Sequence, residues 1–566
     1  MNPFTKANLF YNFIKWRLTW DKRDTHYRYT VPGNPKFMGP RDAVKLIKNG
    51  SVVGVSGLAA NHRPSIIYWA IRELYEETGN PRDLTLVTLG GIGGRGKVPG
   101  TLEELGQEGL CTRLITGHTE TFKAMLRLAD AGKLELQCIP QGIIALLFAA
   151  MGEGENSIVT ETGIGTFVDP QTGRGSPVSG AGAPQLVTVE NGKLRYTIPK
   201  VDVAIFNMPA ADRKGNIYRR GCIMVAESRE LVRAARRNNG VVIANVGKIV
   251  EEGYDDIWIP AEDVDAVVYY KWTEQTGGVY HHRPWRFLTL ESDMSIQEGI
   301  ERVRFINRLV GVTPKRSPVD FALARLAAST FVENFPKGGI VDIGVGLPEE
   351  VSRLLHESGA MEHITLITES GVLGGLAAPG IFFGAAVNPN EIVSSAEVFR
   401  RMYKHLDGAL LGILQADSAG NINVSKRGDG PLNYVGPGGF IDITTCAENC
   451  FFVGSWGDRA EIVLENGKMR VVNPGKPKFV DQVDEITFNG QEALRRGKKV
   501  FYVTHVGAFQ LTPRGMELIR VMPGIDVRRD IVNAVPMKVV LPETGDVPVV
   551  DRSIITGENF KLTFPS

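Results

Sequence analysis

The sequence predicts a protein of the α/β class, with two tandem, related open α/β domains whose sheets are largely parallel. Three observations carry this. Strand-like runs alternate with helical patterns, the second half repeats the first block by block, and the strand runs are apolar throughout, as in strands covered on both faces. At 566 residues, 43% of them hydrophobic, the chain exceeds one typical domain and has ample apolar material for two cores.

The repeat is read in order. Residues 51–67, SVVGVSGLAANHRPSII, form a β-branched strand, a small-residue loop, a proline and the start of a helix over Ile66–Tyr75. Residues 339–355, GIVDIGVGLPEEVSRLL, give the same succession. Next come LTLVTLGGIGG at 84–94 and ITLITESGVLGG at 364–375, each a strand ending abruptly on glycines. The pattern ADxxGNI then recurs at 211–217 and 416–422, and each copy precedes a strand closing on Val-Gly, at 246–247 and 453–454. Blocks matched in one order indicate a fused pair of related units. The join is expected near Val312–Pro318, a polar stretch with two prolines. That divides the chain into an extension, 1–36, and two halves, 37–313 and 314–566. The first half has a longer interval, about 100–200, with a glycine-rich stretch over Glu161–Ala183.

Composition narrows the partners. A net charge of +1 supplies no basic face for nucleic acid. Five cysteines thinly spread over the chain argue against a disulfide framework and for a reducing cytoplasm. Cys446 and Cys450 lack a second pair or a histidine for zinc, and adjacent His281 and His282 lack a spaced third ligand, so no metal is expected. No run reaches the roughly 18 apolar residues of a membrane span, and no signal peptide is evident. The start, NLFYNFIKWRLTW at 8–20, sets Leu9, Phe13, Trp16 and Trp20 at helical spacing without an acidic residue. Residues 1–36 are expected either to dock on a membrane surface or partner, or to pack as an arm on the protein's own body.

Positions where matched halves differ in chemical type are the candidate chemistry. Where the first copy has VTLGG, the second has ITESG, which puts Glu369 at the carboxyl end of a buried strand on a sharp glycine turn. Ligands of open α/β sheets bind at such strand ends, and a turn of this kind lifts its side chain out of the sheet. A carboxylate there can act as base, ligand or nucleophile, and metal binding is disfavoured because no second ligand sits nearby in sequence. Gly91, Gly93 and Gly96 match GxGxxG, but the following KVPG breaks the helix that dinucleotide binding needs. The loop Gly344-Val345-Gly346-Leu347-Pro348 does open a helix, and its backbone amides can approach a ligand closely.

With TESGVLGG around Glu369, GVGLP before it and GPGGFIDI at 436–443 after it, the chain resembles the class I coenzyme A transferases, most nearly the single-chain acetate and propionate enzymes. The likeness runs from about Lys36 to about Pro542 and includes IPQG at 139–142, GTFVDP at 165–170, FGAAVN at 383–388, GNINVSK at 420–426 and MPGIDVRRDI at 522–531. Residues 1–35 have no counterpart in it. Relatives acting on 3-oxoacids carry asparagines where this chain has Ser370 and the Leu89-Gly90 region, which turns the expectation toward short-chain fatty or hydroxy acids.

The resemblance implies an acyl-CoA:carboxylate transferase working by ping-pong covalent catalysis on Glu369, through a glutamyl-CoA thioester. Gln141 and the amides of Gly438 and Gly439 are then expected as oxyanion donors. Gly344, Gly346, Pro348, Asn423 and Gly439 are expected to contact coenzyme A, with Asn423 orienting the substrate. Asn216 and Asn421, kept in both halves, read as structural. Acyl-CoA and small carboxylic acids are the expected substrates, with no prosthetic group and a homodimer or homotetramer as the assembly. An acyl-CoA hydrolase or a ring-opening CoA hydrolase on the same fold, and a non-catalytic metabolite-binding protein, are the alternatives.

Overall fold

The computed structural model describes residues 1–564 except 22, 60, 94–97, 181, 277–278, 281–282 and 313–314. Gly96, His281, His282 and part of the expected join therefore lie outside the described residues.

Seven of the nine strands of the first sheet are β1 (Val52–Val55), β2 (Leu84–Thr88), β3 (Cys111–Thr116), β4 (Glu135–Cys138), β5 (Val203–Asp212), β6 (Val241–Val250) and β7 (Ala266–Tyr269). These strands lie in the order 4-3-2-1-5-6-7 and all pair in parallel. Val53 sits in register between Leu86 and Val203. The second sheet holds β8 (Ile340–Ile343), β9 (Thr365–Ile367), β10 (Val372–Leu373), β11 (Gly408–Gly412), β12 (Asn449–Val453), β13 (Lys499–Val503), β14 (Gly507–Thr512) and β15 (Gly515–Val521). Eight of its ten strands lie in the order 10-9-8-11-12-13-14-15, parallel from β9 to β13 and antiparallel between β9 and β10 and from β13 through β15. The parallel run 9-8-11-12-13 repeats 2-1-5-6-7, so the sequence repeat is a repeat of topology. Each sheet also reverses its winding at one place, between β1 and β5 and between β8 and β11, where ligands of such folds settle.

Apolar runs became strands because helices cover both faces: every residue of β5 and of β12 is buried. The helices that matter for the site are α1 (Pro3–Thr19), α2 (Ser65–Thr78), α3 (Gln141–Glu153), α4 (Ile296–Leu309), α5 (Leu347–Glu357) and α6 (Phe440–Cys446). Helix α3 is apolar nearly all round, and its neighbours explain why. It packs against helix Ser228–Arg237 in the first half and against Ser395–Lys404 and α6 in the second. It stops at Gly154, whose positive φ of 97° turns its N–H back to Ala150 and Met151.

The two ADxxGNI copies are hairpin turns closed in the same way. Asp212 Oδ1 accepts the N–H groups of Lys214, Gly215 and Asn216 at 2.9, 2.9 and 3.0 Å, and Asn216 donates to Asp212 Oδ2 at 2.8 Å. Asp417 Oδ1 accepts from Ala419 and Asn421 at 3.0 Å each, and Asn421 donates to Asp417 Oδ2 at 3.1 Å. Asn216 and Asn421 thus hold turns.

Helix α1 lies along α4. Leu9 and Trp16 are buried, the Met1 ammonium pairs with Glu301, and Lys15 sits 5.5 Å above the Trp272 ring. The stripe anticipated from its spacing therefore turns inward onto the protein's own body. The outward side keeps Phe4, Phe10, Tyr11 and Leu18 exposed. Among the described residues, no helix is long and apolar enough to cross a membrane.

Because each hairpin carboxylate satisfies several backbone donors, Asp212→Ala and Asp417→Ala should each lower stability by about 1–3 kcal/mol. Urea unfolding midpoints measure this, and an unchanged midpoint for both would contradict it.

Candidate active site

Strand β9 ends at Ile367, and the chain turns back within four residues to pair antiparallel as β10. The turn is closed by Gly371 N–H donating to Thr368 O at 2.9 Å and by Val372 N–H donating to Thr368 Oγ1 at 3.2 Å. Gly371 is required here, since its φ is 89° and a Cβ would stand 2.0 Å from Val393 O. Ser370 is fully buried and donates to Gly384 O, so the position that departs from the 3-oxoacid relatives is part of the turn's scaffold. Glu369, between them, is projected out of the sheet. The turn joins strand to strand, where a nucleophile elbow joins strand to helix, but the effect on the side chain is the same.

The second wall comes from a seam between the halves. Gly438 N–H donates to Gly117 O at 2.8 Å, Gln141 N–H to Gly438 O at 3.0 Å, Gly142 N–H to Asp442 Oδ2 at 2.9 Å and Thr119 N–H to Val435 O at 2.8 Å. These bonds set the start of α3 and the start of α6 side by side over Glu369. The Gly439 N–H stands close enough to the Glu369 carboxylate to lower its pKa. A Cβ on Gly439 would lie 2.2 Å from Glu369 Oε2, so only glycine admits the carboxylate at this place. The Gln141 side-chain amide stands close enough to lower the Glu369 pKa. Its Nε2 is nonetheless buried without an aligned hydrogen bond.

Glu369 opens into a cavity of about 420 Å³. Its apolar lining includes Phe13, Trp16, Trp20, Leu58, Val345 and Phe383, and its polar lining includes Arg17, His118, Glu120 and Gln141. Glu120 is neutralised by Arg427 at 2.7 Å. Enclosure decides the electrostatics. Burial raises the Glu369 carboxyl to about 7, against the opposing pull of the Gln141 amide and the Gly439 N–H. Burial likewise lifts Asp442 to about 7, opposed by Gly142 N–H and the Tyr403 hydroxyl and reinforced by Glu369. Burial, then Glu369, pushes Asp342 on β8 well above the carboxylate range. Three carboxyl groups thus share one poorly solvated region.

Not every residue expected from sequence stands where it was expected. Gly438 lines the cavity, but its N–H is committed to Gly117, which removes it as an oxyanion donor. Asn423 is buried away from Glu369. It donates to Gln415 Oε1 and Lys426 O at 2.7 Å each and accepts from the Ser425 and Lys426 amides at 3.0 Å each, so its amide builds its own loop and has no capacity left to orient a substrate. In the GVGLP loop, Val345 lines the Glu369 cavity and Gly344 an adjoining one of about 130 Å³. Gly346, with φ 91°, caps α5, and Pro348 is buried in its first turn. That turn also holds Glu349 and Glu350, and Glu350 pairs with Arg316 and Arg353, so the helix end already carries acidic groups. Of the glycines in the first-half loop, Gly90 and Gly91 line the cavity, and among the described residues the next helical element is one 3-10 turn, Leu102–Leu105, with no dinucleotide-binding helix before it.

His118, Glu120 and Asp442 were missed. The signal existed for the first two: they follow β3 directly, at the strand end where ligands of parallel sheets bind.

Comparison with known proteins accords with this geometry. The family model described as coenzyme A transferase matches residues 37–269. The caffeate CoA-transferase of Acetobacterium woodii is 32% identical over 518 residues, which is 88% of this chain and 93% of that one. The chain belongs to the coenzyme A transferase family. An acetate CoA-transferase of Escherichia coli K12, YdiF, is 27% identical over 514 residues, covering 89% of this chain and 92% of its own. The solved structure of the acyl-CoA transferase from E. coli O157:H7, in a thioester complex with CoA, superposes with a TM-score of 0.81 at 25% identity, over 93% of this chain and 97% of that one. This CoA-transferase therefore has the class I CoA-transferase fold.

A carboxyl group that ionises near 7 when folded and near 4.5 when unfolded binds more protons in the folded state, so it costs stability as pH rises between those values. Glu369→Gln should stabilise the ligand-free CoA-transferase at pH 8 by on the order of 3 kcal/mol, and the gain should vanish by about pH 4. Denaturant midpoints at both pH values measure it; a gain independent of pH would refute the assignment.

Proposed function

We propose that this CoA-transferase moves coenzyme A between an acyl-CoA and a carboxylic acid on the carboxylate of Glu369, in a ping-pong sequence. The observation that carries the reading is Glu369 itself: a half-buried carboxylate on the wall of a cavity, faced by the Gly439 N–H and by the buried side-chain amide of Gln141. Glu369 attacks the thioester carbonyl and expels CoA thiolate, leaving an acyl-glutamyl anhydride. The thiolate attacks the glutamyl carbonyl of that anhydride, releases the donor acid as its carboxylate and forms a glutamyl-CoA thioester. The acceptor carboxylate then attacks the glutamyl carbonyl and expels thiolate, and the thiolate attacks the acyl carbonyl to give the new acyl-CoA and restore Glu369. Each step exchanges one acyl bond for another and requires no external base.

Gln141 Nε2 and Gly439 N–H are the donors for the oxyanions. A buried donor without a partner in the resting site becomes satisfied when charge develops, which favours the transition state over the ground state. The apolar lining keeps water from the anhydride. Val345 and Gly344 in the GVGLP loop are placed to run beside the pantetheine arm; the acidic first turn of α5 suits that neutral chain better than phosphate. Residues 37–313 and 314–566 serve as the two halves of the transferase, with Glu369 supplied by the second and Gln141 by the first. The relatives carry the names of a small acid, acetate, and a larger planar one, caffeate, so the short-chain acids expected from sequence are one end of a range. The acyl group is set by the remaining lining of the cavity.

Acyl-CoA without acceptor, followed by hydroxylamine or borohydride, should label the peptide containing Glu369, and Glu369→Ala should abolish both label and turnover. Labelling should speed up with pH through about 7 and level off above it, as the carboxyl ionises. No adduct on that peptide, or free CoA released without acceptor as fast as transfer, would overturn the reading in favour of another nucleophile or of hydrolysis.

Gln141→Ala should lower kcat by roughly 100 to 1000-fold with little change in unfolding midpoint. Gly439→Ala should do at least as much, because its methyl group takes the place of the carboxylate. Wild-type kcat in both variants would exclude these donors.

A further inference from the structure

Four residues of the N-terminal helix, Phe13, Trp16, Arg17 and Trp20, line the same cavity as Glu369. The mechanism above uses the three aromatic residues only to keep water out and gives Arg17 no task, and the resemblance seen in the sequence stops short of them all. We infer that α1 is the substrate-recognition wall of the active site: its aromatic stripe seats a planar, conjugated acyl group, and Arg17 receives the carboxylate of the incoming acid. This rests on the reading of Glu369 as the covalent carrier.

The aromatic side is held in place. Trp16 is 5% exposed, its ring meets Trp20 edge-on at 5.3 Å and Phe13 at 5.9 Å, and the helix is tied to α4 beneath it. With Phe383 also lining the cavity, aromatic faces form a wall against which a flat acyl group can stack. An acetyl group presents a single methyl to such a wall and gains little from it. A cavity of about 420 Å³ is also of the size that receives ligands well beyond a two-carbon acid.

The charge argument is separate. Among the described residues lining the cavity, Arg17 alone carries a fixed positive charge, since the lining includes no lysine and no second arginine. Its guanidinium is stacked 3.7 Å over the Trp20 ring, which fixes its direction without neutralising it. Before reaction, the charge of ionised Glu369 in the same cavity opposes entry of another anion. Once Glu369 has become a thioester it is uncharged, and that opposition is gone while the positive charge of Arg17 remains. The free acid, an anion, is then drawn in at the stage when it is needed. Rejection of a second acid before that stage follows from the same opposition.

The test compares cinnamoyl-CoA with acetyl-CoA as donors, in wild type, Trp20→Ala, Arg17→Gln and Arg17→Lys. Trp20 is half-buried and Arg17 exposed, so these variants should fold, and unfolding midpoints check that. Trp20→Ala should lower the ratio of kcat/KM for cinnamoyl-CoA over acetyl-CoA by about tenfold. Arg17→Gln should slow the attack of acceptor acid on the trapped glutamyl-CoA about tenfold more than it slows formation of the adduct, and Arg17→Lys should recover most of that loss. An unchanged donor ratio in Trp20→Ala overturns the aromatic wall. Equal slowing of both half-reactions in Arg17→Gln overturns the anion site. The Glu369 adduct is measured in every variant. If wild type forms none, the carrier reading fails; if wild type and variants all form it with unaltered selectivity, only the α1 inference fails.

Discussion

The seam between Gly117–Thr119 and Gln141–Gly142 on one side and Tyr434–Asp442 on the other is the constraint on which the rest of this CoA-transferase depends. Glu369 comes from the second sheet, Gln141 from the first, and neither sheet positions the other. The crossed backbone bonds of Gly438, which donates to Gly117 and accepts from Gln141, leave no freedom for the two helix starts to slide. The glycine-rich stretch of the first half reinforces this. Phe167 N–H donates to Ile486 O at 2.7 Å, Asn489 donates to Gly165 O at 2.9 Å and Arg174 pairs with Glu485 at 3.0 Å. What read in the sequence as an insertion in one copy is the structure's means of fastening the copies together.

Fastening has an electrostatic consequence. Closing the seam over Glu369 removes water from a carboxylate and places Asp442 and Asp342 nearby, an arrangement that opposes stability at neutral pH. Such a cost survives where the group has a task. A carboxylate with reduced solvation is a stronger nucleophile toward a thioester, and its near-neutral pKa keeps a large fraction ionised at working pH. The same enclosure leaves Gln141 Nε2 without an aligned partner. Stability spent at one place thus supplies both the nucleophile and the group that stabilises what it forms.

The N-terminal helix extends that logic beyond the two repeated units. It is anchored by burial of Leu9 and Trp16 and by the ammonium of Met1, while other residues of the same stripe face the cavity. One amphipathic element can therefore serve packing and recognition together, because neighbouring positions on a helical face are only one turn apart. Its exposed aromatic residues point the other way and take no part in the site.

The sequence by itself determined the duplication, the parallel sheets and the position of Glu369. These depend on local patterning: apolar runs of strand length, glycines where φ must be positive, and a carboxylate in one copy where the other has leucine. It also showed that Asn216 and Asn421 are structural, since a turn motif carries its hydrogen bonds within itself. Tertiary structure decided which amides face Glu369. Gly438 and Gly439 are indistinguishable in sequence, yet one N–H is spent on Gly117 and the other faces the carboxylate, a difference set by a loop more than 300 residues away. Asn423 was misread for the same reason, because nothing in its neighbourhood reveals that Gln415 and the Lys426 carbonyl consume its donors. The helical stripe of Leu9, Phe13, Trp16 and Trp20 was legible as a stripe. What it faces was not, because spacing along a helix specifies a side and only packing specifies what lies against it.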